Sequence, residues 1–313
     1  METIRVASRQ SALALRQTHW VMDRLAAAHP GLSLEVVRVV TRGDRILDVP
    51  LADIGGKGLF VSEVEACLLG GRADIAVHSL KDVPTLLSEG MVLGAVPVRE
   101  DPRDALISRS GLRFSELPPG ARVGTSSLRR VAQLKAVRPD LTFVPLRGNI
   151  DTRLRKLETE GLDAIVLAAA GLHRMGWADR ITEYLEVDVC LPAMGQGLLG
   201  IECRAADARV RSLLQPLSDP HATLAARAER ALLALLDGGC QVPMAGHARV
   251  VDEGVHLTGL VASPDGREVI RAEASGADPE TVARSVADAL RRQGADRLLE
   301  LAAAARPGAP AVR

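Results

Sequence analysis

Apolar and polar positions alternate almost from the first residue. Ile4 to Ala7 reads as a short strand, and a 3.6-residue apolar period from about Ala12 to Ala28 predicts an amphipathic helix closed by Pro30-Gly31. A second strand, Leu34 to Val40, follows directly. This opening predicts a parallel sheet and puts Arg9 and Ser11 at a helix N-terminus, which attracts anions; Ser11 is a natural cap, and a solvated surface arginine is the plainer alternative for Arg9. From Thr41 to Gly58 the period fails, ending in Gly55-Gly56-Lys57-Gly58, a backbone able to move or to approach a ligand closely. Its spacing is not that of a phosphate-binding loop. A helix from Phe60 to Leu69 precedes the strand Ala73 to Val77, which runs into His78-Ser79-Leu80-Lys81-Asp82-Val83-Pro84. Pro84 stops the ladder, so Lys81 and Asp82 fall where a strand empties into a loop, the edge at which α/β sheets bind ligands. Met91 to Val98 is a further strand.

The charged run Arg99-Glu100-Asp101-Pro102-Arg103-Asp104 then breaks the pattern and reads as a first crossing between lobes. A second strand–helix series opens at Arg122-Val123-Gly124 and turns through Thr125-Ser126-Ser127 into a helix carrying Arg129 and Arg130. Those two arginines point about 100° apart on a helix, so they either meet different anions or leave one exposed. Thr142 to Leu146 ends at Arg147-Gly148-Asn149, ahead of a helix with Arg153 and Arg155, and Asp163 to Ala168 is followed by His173 and Arg174. The arginines therefore collect after strands, on one ligand edge. Leu191 to Gly197 is a second irregular crossing, and the strand Leu198 to Glu202 can return to the first sheet. Two crossings predict a bilobed body with a cleft, like a periplasmic binding protein. A helix from about Ala222 to Leu236, strands near Ala248–Val251, Val255–Val261 and Glu268–Glu273, and a helix from Pro279 to Arg292 form a third region. The expected division is residues 1–98 with 198–216, residues 104–191, residues 220–306, and a disordered tail from 307 to 313. The fold class is α/β, two doubly wound lobes plus a small α+β C-terminal domain.

Composition sharpens this reading. Formal net charge is zero, which argues against a duplex nucleic-acid binder. The 39 cations comprise 35 arginines and 4 lysines, and a planar bidentate donor suits carboxylates better than an ammonium does. The longest apolar run, Ala164 to Ala170, is far short of a membrane span, and the N-terminus lacks an apolar signal core, so a soluble cytoplasmic protein is expected. Cys67, Cys190, Cys203 and Cys240 show no metal or disulfide spacing.

Six motifs stand in one order: Arg9-Gln10-Ser11, Gly55 to Phe60, His78 to Pro84, Gly124 to Arg130, Leu146 to Asn149, and Gly238-Gly239-Cys240-Gln241-Val242-Pro243. Together they resemble the porphobilinogen deaminase family over essentially the whole chain. The resemblance implies two lobes in the style of periplasmic binding proteins and a third domain, with a dipyrromethane cofactor joined to Cys240. It implies that four porphobilinogens are added head to tail with loss of ammonia, and that water releases hydroxymethylbilane. Asp82, Arg9, Arg147 and Arg153 then match catalytic positions. Lys81, Asp82, Thr125, Ser127, Arg129, Arg130 and Gly148 match cofactor-binding ones. Substrate binding falls to Arg9, Ser11, Lys57, Phe60, Arg147, Arg153 and Arg174. The segment Thr41–Gly58 is expected to act as a lid that shields the reacting centre from water.

Asp53 and His173 stand where many relatives carry lysine, so neither is assigned an anion. No metal, nucleic acid or membrane is implied; a monomer that passes its product to a downstream synthase is. Two rival readings use the same residues differently. A non-catalytic bilobed sensor of a carboxylated ligand leaves Asp82 and Cys240 unexplained, and a cysteine hydrolase pairing Cys240 with His247 lacks an orienting third group.

Overall fold

The computed structural model describes residues 3–41, 43, 61–236, 242–252 and 254–304. Strand β1 (Thr3–Arg9) leads into helix α1 (Ala12–Ala28), whose first turn is capped by Ser11 Oγ accepting the Ala14 N–H at 3.3 Å. Strand β2 (Ser33–Val39), helix α2 (Ser62–Leu69), β3 (Ile75–Ser79) and β4 (Met91–Ala95) complete the first series. The second comprises β5 (Asp104–Ser108), β6 (Arg122–Gly124), α3 (Leu128–Val137), β7 (Thr142–Val144), α4 (Ile150–Thr159), β8 (Ala164–Ala168), α5 (Ala169–Met175) and β9 (Glu183–Leu185). The chain returns through β10 (Leu199–Arg204) and α6 (Ala208–Leu214). Helix α7 (Pro220–Leu235), strands β11 (Met244–Val251), β12 (Gly254–Ala262) and β13 (Val269–Gly276), and helices α8 (Pro279–Arg292) and α9 (Ala295–Ala304) follow.

The first sheet runs β2-β1-β3-β10-β4 and the second β7-β6-β8-β5-β9. The two orders are the same pattern. Each has a parallel trio and one antiparallel strand that enters after a crossing, β10 against β3 and β5 against β8. The C-terminal edge of the parallel trio in each sheet is the edge at which α/β sheets bind ligands. The sheets are mixed rather than purely parallel, because the crossing strands run back against their neighbours.

Both faces of each sheet are covered, as near-continuous apolar strands require. On the first sheet Ile4, Val6, Ile75 and Ile201 pack on Val21 and Leu25 of α1, while Ala7, Val39 and Ala76 meet Val64 and Leu68 of α2. On the second, Leu106, Val123 and Val166 face Leu134 of α3, and Ala105, Ile107 and Ile165 face α4 and α5 through Leu154, Leu157 and Leu172. The third unit is an antiparallel meander, β11-β12-β13, with Leu232, Val286, Leu290 and Leu298 of its helices on one face. Its other face reaches the second lobe, where Ala245, Leu260 and Ala262 pack with Ala132 and Leu191.

Several elements escape the periodicity argument, α6 and α9 among them. Strand β5 hides behind the charged run, and β9 has only three residues. Helix α5 follows β8 with no intervening turn and no side-chain cap, so nothing in the residues announces a boundary.

Candidate active site

Strand β3, buried in four of its five residues, ends in a single turn over Leu80–Asp82. The turn is pinned from below: Leu80 is buried, and its N–H donates to the Leu198 carbonyl at 3.0 Å. The second crossing lies against it so closely that a Cβ at Gly195 (φ +80°) would stand 2.8 Å from the Lys81 nitrogen. A glycine is needed there for both conformation and space. The result is an anchored backbone that leaves Asp82 exposed at the cleft.

Asp82 lines a cavity of about 480 Å³ between the lobes, together with Arg9, Ser11 and Lys81 from the first lobe and Arg130, Arg147, Gly148, Arg153 and Arg174 from the second. Six cations (Arg9, Lys81, Arg130, Arg147, Arg153, Arg174) face two carboxylates, Asp82 and Asp151, so the lining is strongly electropositive. Gln17 and Ser79 also reach it and are hydrogen-bonded to each other at 2.9 Å. Nothing in the sequence singles these two out, because one is a helix glutamine and the other a strand-end serine. A second hollow of similar volume, between β4 and α6, has only Arg211 as a charged side chain and no acid–base group.

The electrostatics are those of crowded cations. Arg153 donates from Nε to the Gly148 carbonyl at 2.7 Å, and burial, with Arg130 and Arg147 nearby, lowers its pKa to about 10. Arg174 donates to the Gly197 carbonyl at 2.7 Å and is likewise lowered to about 10 by burial. Lys81, half-buried and donating to Gln196 Oε1 at 3.3 Å, is lowered to about 8 by desolvation and the Arg130 and Arg129 charges, against the opposing pull of Asp82 and Asp104. An anion entering this cavity relieves repulsion already present.

Beneath the cavity lies a group that sequence reasoning missed. Asp104, fully buried at the start of β5, accepts Arg129 Nη1 on Oδ2 at 2.7 Å and Arg130 Nη2 on Oδ1 at 2.7 Å. Gln196 of the second crossing donates to the same carboxylate at 2.9 Å and accepts Lys81. Burial alone would raise the Asp104 carboxyl, but the two guanidinium groups outweigh it and hold it far below the usual range. The neighbouring Cys190 thiol is pushed up to about 12, chiefly by burial.

The two adjacent arginines therefore do not meet separate anions and neither is left exposed: both share an internal carboxylate. Arg129 does not line the cavity, and Arg130 does. Thr125 is buried and Ser127 caps α3 by accepting the Arg130 N–H; both shape the turn rather than the cavity wall. Of the expected lid only Thr41, which is buried, and Gly43, which lines the cavity, are among the described residues; Asp53 and Lys57 lie outside them, as do Phe60 and Cys240.

A second buried acid ties the third unit to the crossings. Glu229 of α7 accepts Arg99 Nη1 at 2.6 Å, the Gly195 N–H at 2.6 Å and the Ala248 N–H at 2.7 Å. His247 stands 3.6 Å from the same carboxylate. His173, set aside as an anion ligand, is held by Glu100 and Tyr184 instead. Cys67, Cys190 and Cys203 are buried and free, and no group of His, Cys, Asp or Glu suited to a metal occurs among the described residues.

Comparison with known proteins gives a consistent picture. Residues 4–212 match the family model described as porphobilinogen deaminase, dipyromethane cofactor binding domain, and residues 223–292 match its C-terminal domain. The porphobilinogen deaminase of Geobacillus kaustophilus is 56% identical over 301 residues, covering 96% of this chain and 97% of its own. That of Syntrophotalea carbinolica is 54% identical, covering 95% of each chain, and that of Bacillus subtilis 52%, covering 96% of each.

Proposed function

This chain belongs to the porphobilinogen deaminase family, and from that premise we propose that it is the transferase that condenses four porphobilinogen molecules head to tail and releases hydroxymethylbilane. This is a step of tetrapyrrole (haem and porphyrin) biosynthesis. The observation that carries the reading is one carboxylate, Asp82, held on an anchored turn inside a cavity lined by six cations. Porphobilinogen bears two carboxylates and a leaving ammonium on one pyrrole ring. A wall of arginines with Asp82 on its anchored turn among them fits that pattern of charge.

The family's dipyrromethane cofactor fits the same wall. Arg153 and Lys81 are buried beside other cations, and carboxylated pyrroles supply negative charge to offset them. We assign its anchor to Cys240, whose thiolate is a strong carbon nucleophile. When bound, the group provides the free pyrrole α-carbon on which the first substrate condenses. Lys81, Arg130 and Gly148 would hold it, with Arg129, Thr125 and Ser127 setting the shape of that wall.

Arg9, Ser11, Arg147, Arg153 and Arg174 take the carboxylates of incoming substrate, with Lys57 and Phe60 assigned to close over it. Their charge orients the ring so that its N–H faces Asp82. As the carbon–nitrogen bond breaks and ammonia leaves, positive charge spreads from the methylene carbon onto the ring nitrogen. The fixed Asp82 carboxylate stabilises that charge as it develops. The new carbon–carbon bond leaves one α-proton to be lost, and Asp82 is placed to receive it. Arg9, Arg147 and Arg153 keep the reacting carbon in line during the step.

The division into residues 1–98 with 198–216, 104–191 and 220–306 is supported by which strands share each sheet. We take the enzyme to be a cytoplasmic monomer whose product passes to a downstream synthase. Among the described residues no helix is long and apolar enough to cross a membrane. A non-catalytic sensor would use the arginines but has no need of an acid on an anchored turn among them.

The test is Asp82→Asn, which keeps shape and removes charge. Porphobilinogen consumption should fall on the order of 10²–10³-fold, as for loss of one preorganised electrostatic group. The folded protein should persist by circular dichroism. A rate near that of the wild type would give the chemistry to another residue.

A further inference from the structure

Gln196 of the second crossing is buried, and both ends of its amide reach charged groups. Its Oε1 accepts Lys81 Nζ at 3.3 Å. Its Nε2 donates to the Pro102 carbonyl at 2.7 Å and to Asp104 Oδ1 at 2.9 Å. The same Oδ1 accepts Nε and Nη2 of Arg130, at 3.0 and 2.7 Å. One side chain and one carboxylate thus link a cation of the first lobe to a cation of the second by direct hydrogen bonds. Lys81 and Arg130 both line the cavity.

The amide can face only one way. An ammonium only donates, whereas a carbonyl and an ionised carboxylate only accept. Asp104 is ionised, because the Arg129 and Arg130 guanidinium groups hold its carboxyl far below the usual range. A flipped amide would set its NH2 against the Lys81 ammonium and its oxygen against two acceptors. As it stands, each N–H meets an acceptor and the oxygen meets a donor, which is what burial demands.

We propose that Gln196 is a positioning residue that sets the spacing between Lys81 and Arg130 across the cleft, and so presents the primer to Asp82. The inference rests on the reading that these two cations hold a carboxylated primer. It deepens that reading by naming what holds the cations.

The crossing suits this role because its backbone is fixed without the help of the side chain. The Gln196 N–H donates to the Ala193 carbonyl at 2.9 Å, and its own carbonyl accepts Arg99 Nε at 2.9 Å. Gly195 and Gly197 on either side, at φ +80° and +85°, lie against the Lys81 and Glu100 backbones. The amide is therefore a strut between two supports. Any change in the separation of the lobes at this point must stretch or break one of its bonds.

The test is a double-mutant cycle on the first ring addition, read from the intact mass of the holoenzyme shortly after mixing with porphobilinogen. Mildly acid buffer keeps the proton on Lys81, so position is read and not charge. Gln196→Met removes the amide but no charge. It should slow the addition about tenfold, the worth of one hydrogen bond to a charged group. The KM for porphobilinogen should stay within about twofold, because Arg153 and Arg174 are held through the Gly148 and Gly197 carbonyls instead. Lys81→Met should slow the addition at least as much, and the double variant about as much as Lys81→Met alone, since a spacing needs both its ends. Gln196→Asn, polar but too short to reach both ends, should match Gln196→Met and takes its place in the cycle if the methionine variant does not fold.

Losses that multiply in the double variant, or a Gln196→Met enzyme as fast as the wild type, would overturn the proposal. Acetylation of Lys81 by acetic anhydride, mapped by peptide mass, reads the same contact without turnover. It should quicken about three- to tenfold in Gln196→Met through loss of the acceptor, with Lys135 and Lys156 as unchanged references in the same protein. Equal rates at Lys81 would also overturn the proposal. A wild-type enzyme that consumes no porphobilinogen would strike the functional reading alone, and the acetylation rates would still decide this one.

Discussion

Lys81 shows how much a single residue depends on its surroundings. It shares a turn with Asp82, donates to Gln196 and is crowded by Arg130, and desolvation lowers its pKa to about 8. Below that pH the cavity keeps its sixth cation; above it the charge is lost. The KM for a carboxylated substrate should therefore rise above about pH 8, and Lys81→Arg, whose guanidinium holds its proton more tightly than an ammonium does, should push that limb upward. An identical alkaline limb in both proteins would mean that another group titrates there.

Asp104 is the matching case on the acid side. Removing its charge in Asp104→Asn leaves Arg129 and Arg130 buried without their counter-ion, a loss of about 3–5 kcal/mol for a broken buried pair, measurable by urea unfolding. Its folded pKa lies below the unfolded one, so the stabilisation is complete above the unfolded value of about 4. It is lost only as pH falls through the folded value. The stability gap between wild type and Asp104→Asn should be constant near neutrality and close only in strong acid.

At the scale of elements, most of what could be read was periodic or chemically marked. Helix α1 announces itself by period and by its Ser11 cap, α8 by its start at Pro279, and the arginines by following strands. Asp104 was not legible, because an acid at the end of the run Arg99–Asp104 looks like a solvated charge. Only the fold places β5 inside the second sheet, between β8 and β9, and buries Asp104 there. The same holds for Glu229: on an alanine- and leucine-rich helix it looks like the polar stripe, yet it is fully buried and accepts two backbone N–H groups from different segments. Arg129 was legible as a cation but not as an internal one.

Glu229 is thus the pin between α7, the second crossing and β11. Gly195 N–H and Ala248 N–H are accepted by different oxygens of Glu229, so in Glu229→Gln one keeps an uncharged acceptor and the other faces an NH2 that cannot accept. Amide exchange should quicken by about tenfold at the first, one charge-assisted bond weakened to an ordinary one, and by more at the second. Unchanged exchange at both positions would show that packing alone holds the third unit in place.

For the whole molecule, two sheets of one topology, joined by two crossings, bring the ligand edges of both lobes to a single cavity. Asp82 comes from one lobe and four of the six cations from the other, so neither lobe is a site by itself. The third unit stands on the crossings through Glu229 and carries, by our assignment, the cysteine that anchors the primer. The central claim is therefore covalent: a chain built on the protein, one ring at a time. The most direct measurement is the intact mass of the purified protein before and after brief exposure to porphobilinogen. The account predicts a mass above that of the sequence by one dipyrromethane, absent in Cys240→Ser, followed by a ladder in steps of porphobilinogen less ammonia. A fully active protein at its bare sequence mass, with no ladder, would contradict it.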